Sequence, residues 1–153
     1  MKEAGYRDIQ PEEIPRIILA GAEILLIAGT VEFDGQPRQG AVSGGTTEPL
    51  YADVKLEPGS QVTLPVGGHL NAFTYLYQGA VSIGEQALQA GAATVLDEGD
   101  EVTLSAGPDG AQVLLIAGKP LGEPVVQYGP FVMNSREEIE QTLRDYQSGQ
   151  LTA

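Results

Sequence analysis

Residues 50–66 read LYADVKLEPGSQVTLPV, and the fold class turns on this stretch. Apolar Leu50, Ala52, Val54 and Leu56 alternate with Tyr51, Asp53 and Lys55. A period of two sends the two sets to opposite faces of a strand, one dry and one wet. Pro58-Gly59 then turns the chain, and Gln61–Val66 reads as a second strand.

The same pattern spreads in both directions. Downstream, Gly67-Gly68 ends the second strand just before His69. Ala72–Tyr77, Ala80–Ile83, Gln86–Leu88, Ala93–Leu96, Glu101–Ser105 and Gln112–Ala117 read as further strands, with a bend at Gly79 and turns at Gly or acidic residues between them. Upstream, Ile17–Leu19 and Ile24–Thr30 are β-type runs, and Val31–Phe33 continues the second of them to a turn at Asp34-Gly35. Residues 34–49 (DGQPRQGAVSGGTTEP) form the longest loop, which is either a flexible connection or a functional segment. Residues 1–15 are polar and read as an extended lead-in with room for one helical turn near Pro11. LLIAG occurs at 25–29 and again at 114–118, as two neighbouring strands of one sheet would. Ten or so short strands at this spacing predict an all-β sandwich or barrel.

The tail changes period. Ser135 with Glu138 three residues on makes a capping box. Ile139, Leu143 and Tyr146 then fall on one helical face, and Gly149 stops the helix. The spacing predicts a helix over 134–149, packed on the barrel or on a neighbouring domain.

Composition narrows the chemistry. The 153 residues suffice for one well-buried core. A net charge of −13 repels phosphate backbones and anionic membranes, so direct nucleic-acid or membrane binding is not expected. No N-terminal apolar h-region is seen, and the apolar run near Ile17–Ala28 is broken by Gly21 and Glu23. With no cysteine, this suits a cytoplasmic protein. One histidine and no cysteine argue against a self-contained transition-metal centre, which normally takes two to four nitrogen or sulfur ligands. Carboxylate-only sites stay open, and Asp97, Glu98, Asp100 and Glu101 around Gly99 are either such a site or a surface acidic turn. No G-x-S-x-G elbow appears. His69 is either a loop histidine or an acid–base group at the barrel mouth. Phe73, Tyr75 and Tyr77 share one strand face and either fill the core or line a pocket with His69.

The stretch GEPVVQYGPFVMNSREEIEQTLRDYQSG at 122–149 resembles the C-terminal signature of the pirin family, within the cupin superfamily. YRDIQPEEIP at 6–15 resembles that family's inter-barrel linker. LYADVKLEPGSQVTLPV at 50–66 and GDEVTLSAGPDGAQVLLIAGKPLGEP at 99–124 resemble its second barrel. The resemblance implies a cupin-type double-stranded β-helix, a jelly-roll β-sandwich, with a C-terminal α-helix. It divides the chain into lead-in 1–15, barrel 16–133 and helix 134–149. Pirins are typically two barrels in tandem, and iron sits on three histidines and a glutamate of the first. That barrel has no counterpart in this sequence, so no cofactor is expected in this chain. Counting back from Gly79, the cupin glutamate position falls at Ala72, and no second motif histidine stands near residues 98–101.

The family is associated with quercetin 2,3-dioxygenase activity and with iron-dependent transcription cofactors. Three readings follow. The chain is a metal-free domain with a structural role beside an iron-binding N-terminal cupin, or it pairs with itself as a homodimer. It is a small cupin enzyme acting on an aromatic ligand near His69. Or it is an acidic protein-interaction module. Tyr128, Phe131, Met133, Ile139, Leu143 and Tyr146 are the candidate interface.

Overall fold

A computed structural model describes residues 6–33 and 35–151. The first five residues of the expected lead-in, and Asp34 at the expected 34–35 turn, lie outside the described residues. After a 3-10 turn at Pro11–Glu13 come β1 (Arg16–Leu19), β2 (Ala22–Ala28), β3 (Thr30–Phe33) and β4 (Gln36–Gln39). Next are β5 (Leu50–Leu56), β6 (Gln61–Pro65), β7 (Asn71–Ile83), β8 (Gln86–Ala87), β9 (Ala93–Val95) and β10 (Glu101–Gly118). The chain ends with β11 (Val126–Tyr128), β12 (Phe131–Met133) and helix α1 (Arg136–Ser148). The chain forms two compact units, Met1–Pro120 and Leu121–Ala153.

In the first unit an eight-stranded antiparallel sheet runs β1-β2-β5-β10-β7-β8, with β6 added on β10 and β9 on β7. The alternation in residues 50–56 is realised as read: Leu50, Ala52, Val54 and Leu56 are buried, and Tyr51, Asp53 and Lys55 face outward. The 18-residue β10 closes the barrel. Its first part pairs Val102 with Leu64 and Leu104 with Val62 of β6. Its second part lies between β5 and β7, pairing Val113 with Val54 on one side and with Leu76 on the other. Inward side chains of both parts enter one core with Ile24, Leu26, Leu64 and Leu76.

Several expectations change in detail. Ala72–Tyr77 and Ala80–Ile83 are one strand that runs through Gly79. Glu101–Ser105 and Gln112–Ala117 are also one strand, interrupted by a register shift between Ala106 and Ala111. Sequence reading splits both because glycine marks a break, whereas here Gly79 (φ 78°) fits beside Gly110, whose carbonyl a Cβ on Gly79 would strike. The run from Ile24 to Phe33 is two strands, divided at Gly29 (φ 94°). The 34–49 loop is not wholly a loop, since Gln36–Gln39 pairs with β3 as a hairpin. The two LLIAG segments are not neighbours: they flank β5, with Leu25 and Leu114 both opposite Asp53.

In the second unit the helix has the expected cap, Ser135 Oγ accepting from the Glu138 amide while Glu138 accepts from the Ser135 amide. Gly149 ends it in the left-handed region. The residues before it, read from the sequence as the end of barrel 16–133 and as candidate interface, form the β11–β12 hairpin of the second unit, on which the helix packs. Phe131 and Tyr146 meet edge to face at 5.8 Å. Ile139 is buried, and so is Thr142, which the apolar stripe alone does not mark.

One polar atom in the core lacks a partner. Thr74, at 0 % exposure, has no hydrogen bond at Oγ1 to any described residue. A buried hydroxyl left unpaired costs about 1–3 kcal/mol. Thr74→Val, which keeps the shape and removes the hydroxyl, is expected to stabilise the fold by about 1 kcal/mol in denaturant melts. A loss of stability would mean that the hydroxyl has a partner, such as an ordered water.

Candidate functional site

His69 stands where the sequence puts it, in the connection between β6 and β7. It borders a cleft of about 400 Å³, walled by β3, the end of the 44–50 segment and residues 65–70. Val31, Leu50, Val66 and Leu70 give apolar walls, and Thr30, Glu32, Glu48 and His69 give the polar groups. The His69 Nε2 lies 2.9 Å from Glu48 Oε2. Lys119 Nζ lies 3.6 Å from the other oxygen of the same carboxylate. Glu48 is the one non-glycine residue with positive φ (45°) among the described residues. Such backbone strain concentrates at functional sites. The bond that Lys119 N–H donates to Thr47 O, at 2.7 Å, holds the strained segment in place.

Glycine at 67 permits the close approach of the ring. A Cβ there would come within 3.3 Å of His69 Cε1 and 3.4 Å of Nδ1. The next turn is fixed by Asp100, whose Oδ1 accepts the Gly68 amide at 2.9 Å. Its backbone carbonyl accepts the Val66 and Gly67 amides at 2.9 and 3.2 Å. Asp100 of the acidic turn therefore serves as a brace for the His69 connection. Asp97, Glu98 and Glu101 instead border a second cleft of about 240 Å³ with Leu70 and Leu88.

The three aromatics are not at the His69 cleft, which corrects the expected pocket. On β7 the inward positions are Ala72, Thr74 and Leu76, so Phe73, Tyr75 and Tyr77 lie on the outer face of the sheet. They neither fill the core nor line the cleft. Tyr77 donates to Asp53 Oδ1 at 2.7 Å across that face. Burial of its hydroxyl and the bond to Asp53 raise its pKa well above the usual 10.0. Glu48 was missed by sequence reading. It lies 21 residues from His69 in a Gly- and Thr-rich segment with no periodicity, and only the closed barrel brings the two together.

The donor set does not fit a transition metal. His69 supplies one imidazole, and no group of three or more His, Asp or Glu side chains able to hold a metal ion exists among the described residues. What the pair can do is proton chemistry: with Nε2–H given to an ionised Glu48, the neutral ring keeps Nδ1 as a proton acceptor. No helix of the described residues is long and apolar enough to cross a membrane.

The hydrogen bond from His69 is the main cause of a Glu48 pKa below the usual 4.5, with the charges of Lys119 and His69 adding to it. A depressed carboxylate contributes stability that is present above its unfolded value and lost as pH falls through its folded value. The stability difference between the wild type and Glu48→Gln is therefore expected to fade as pH falls below about 4.5. Carboxyl NMR titration should place the Glu48 midpoint below 4.5, and His69→Ala should move it back up.

The model of the pirin C-terminal cupin domain matches residues 51–152. A protein of Pseudomonas aeruginosa named "Putative quercetin 2,3-dioxygenase" is 46% identical over 97% of this chain and 53% of its own length. Human pirin is 37% identical over 97% of this chain and 51% of its own length. The crystal structure of a quercetin 2,3-dioxygenase from Acinetobacter baumannii superposes with a TM-score of 0.81 at 31% identity, over 97% of this chain and 51% of that one. The chain spans about half the length of the curated relatives it matches. The barrel has the cupin fold, and the chain belongs to the pirin family, matching its C-terminal cupin domain.

Proposed function

We propose that this domain works without a metal of its own, as the packing partner of a second cupin barrel. The observation that carries this reading is the outer face of the sheet. Across β2, β5, β10, β7 and β9, one row runs Leu25, Asp53, Leu114, Tyr75 and Ala93. The next row sets Tyr51, Ile116, Phe73 and Val95 side by side. Val95 is 82% exposed, and the other large side chains of these rows are half-buried. A largely apolar five-strand face, whose one carboxylate, Asp53, accepts from Tyr77, suits docking better than solvation. The partner is an iron-binding N-terminal pirin cupin, in keeping with relatives about twice as long, or a second copy of this chain. The pirin-like tail, with Tyr128 and Tyr146 exposed on the second unit, adds candidate contact surface there.

A second reading has its own observation, the His69–Glu48 pair in its cleft. There, a small aromatic molecule would meet one base and apolar walls, as in a quercetin 2,3-dioxygenase-like activity held by this domain. His69→Ala would then abolish turnover of quercetin while leaving the fold intact. Equal turnover in both proteins removes this reading.

Metal content separates the two further. After anaerobic Fe(II) loading and desalting, the chain is expected to retain less than about a tenth of an equivalent, because the ligand set is short. Near one equivalent, lost in His69→Ala, overturns the proposal. The docking face is tested by Ile116→Glu, which is expected to abolish association, with itself or with an added N-terminal pirin cupin, in sedimentation velocity. Unchanged association in that variant also overturns it.

A further inference from the structure

A different part of the molecule carries an interaction of its own. Strand β1 is the edge of the main sheet, and β4 is the edge of the β3–β4 hairpin. Both border one groove of about 530 Å³, which no β2 residue lines. The groove therefore lies along the side of β1 that faces away from its partner strand.

The hydrogen-bond phase shows which backbone groups point into it. Pro15 O accepts from Leu26 N at 2.9 Å, and the register continues as Ile17 opposite Ile24 and Leu19 opposite Ala22. Bonded pairs alternate along an antiparallel ladder, so 15, 17 and 19 face β2, and the N–H and C=O of Arg16 and Ile18 face the groove. On the other bank, Gly40 N donates to Gly29 O, which sets Val31–Arg38 and Phe33–Gln36 as the bonded pairs. Pro37 then faces the groove with no N–H to give. Proline is a usual means of blunting an edge. β1 has no such guard: Ile18 is 69% exposed, and the N–H and C=O of two residues, Arg16 and Ile18, are open.

Charge selects the occupant. Among the described residues lining the groove, Arg16 and Arg38 are the charged ones, on a chain with 8 basic and 21 acidic residues. Arg16 also meets Glu23, so Arg38 is the stronger attractor. Glu23 neutralises Arg16, and at physiological salt exposed charges more than about 8 Å apart are largely screened, so Arg38 sets the local sign among the lining residues. Apolar Ile18, Leu19 and Phe33 supply contact for alternate side chains.

We propose that this groove receives an extended acidic segment of a partner protein, which adds to the sheet as a strand against β1, with a carboxylate on Arg38. Main-chain bonds to Arg16 and Ile18 give the affinity, and the arginine gives the preference.

The test is an amide NMR titration of the whole chain with acetyl-EVEVE-amide, and with acetyl-KVKVK-amide as the opposite-charge probe. The acidic peptide is expected to shift the Arg16–Leu19 amides and those of Gln36, Arg38 and Gln39, and to slow exchange of the Ile18 amide. Arg38→Glu, an exposed substitution, is expected to weaken binding roughly fivefold, about 1 kcal/mol. Unmoved Arg16 and Ile18 amides at millimolar peptide overturn the proposal. So do equal shifts with the lysine peptide. Shifts of the same amides on concentrating the chain alone also overturn it, by making a second copy the occupant.

Discussion

The barrel depends on one strand belonging to both of its walls. Glu101–Gly118 pairs with β6 at its start, with β5 towards its end, and with β7 along both parts. Every second residue of it must therefore be apolar and fit a closed interior. Val102, Leu104, Val113 and Leu115 are all 5% exposed or less. The register shift between Ala106 and Ala111 lets a single strand turn from one wall to the other. Gly79 and Gly110 face each other at that place because a side chain on Gly79 would meet the backbone opposite.

Local pattern carried most of this architecture. The Leu50–Leu56 alternation, the Ser135–Glu138 cap and the Gly149 stop are set by neighbours in the chain, and each was legible. Strand continuity was not. Gly79 and the GPDG at 107–110 look like breaks by composition, and only the ladder between β7 and β10 shows that they are bends within paired strands. The Gln36–Gln39 strand was hidden because its residues are all exposed and carry no alternation. The side of β7 that its aromatics occupy was equally hidden: period two separates Phe73 from Thr74 without saying which one faces in. The candidate site was half visible. The lone histidine stood out by count, whereas Glu48 is brought to it by barrel closure.

The two faces of the sheet divide the labour. The inner face is an apolar core in which one hydroxyl, that of Thr74, has no partner among the described residues, and the outer face carries the apolar rows, Tyr77 and Asp53. This division fits a family in which the chain accounts for half of the longer relatives. The His69 cleft sits at a different place, built from loop segments and a strained glutamate.

The late position of β10 in the chain has a consequence for synthesis. β5 and β7 do not pair with each other, since β10 lies between them. As the chain leaves the ribosome, β5, β6 and β7 emerge with their β10-facing edges open. Pairing waits for residues 101–118, two-thirds of the way along the sequence. Contacts this distant in sequence form slowly, and open strand edges are prone to aggregate while they wait. The nascent polypeptide thus passes through a window of vulnerability in which holdase chaperones have most to protect.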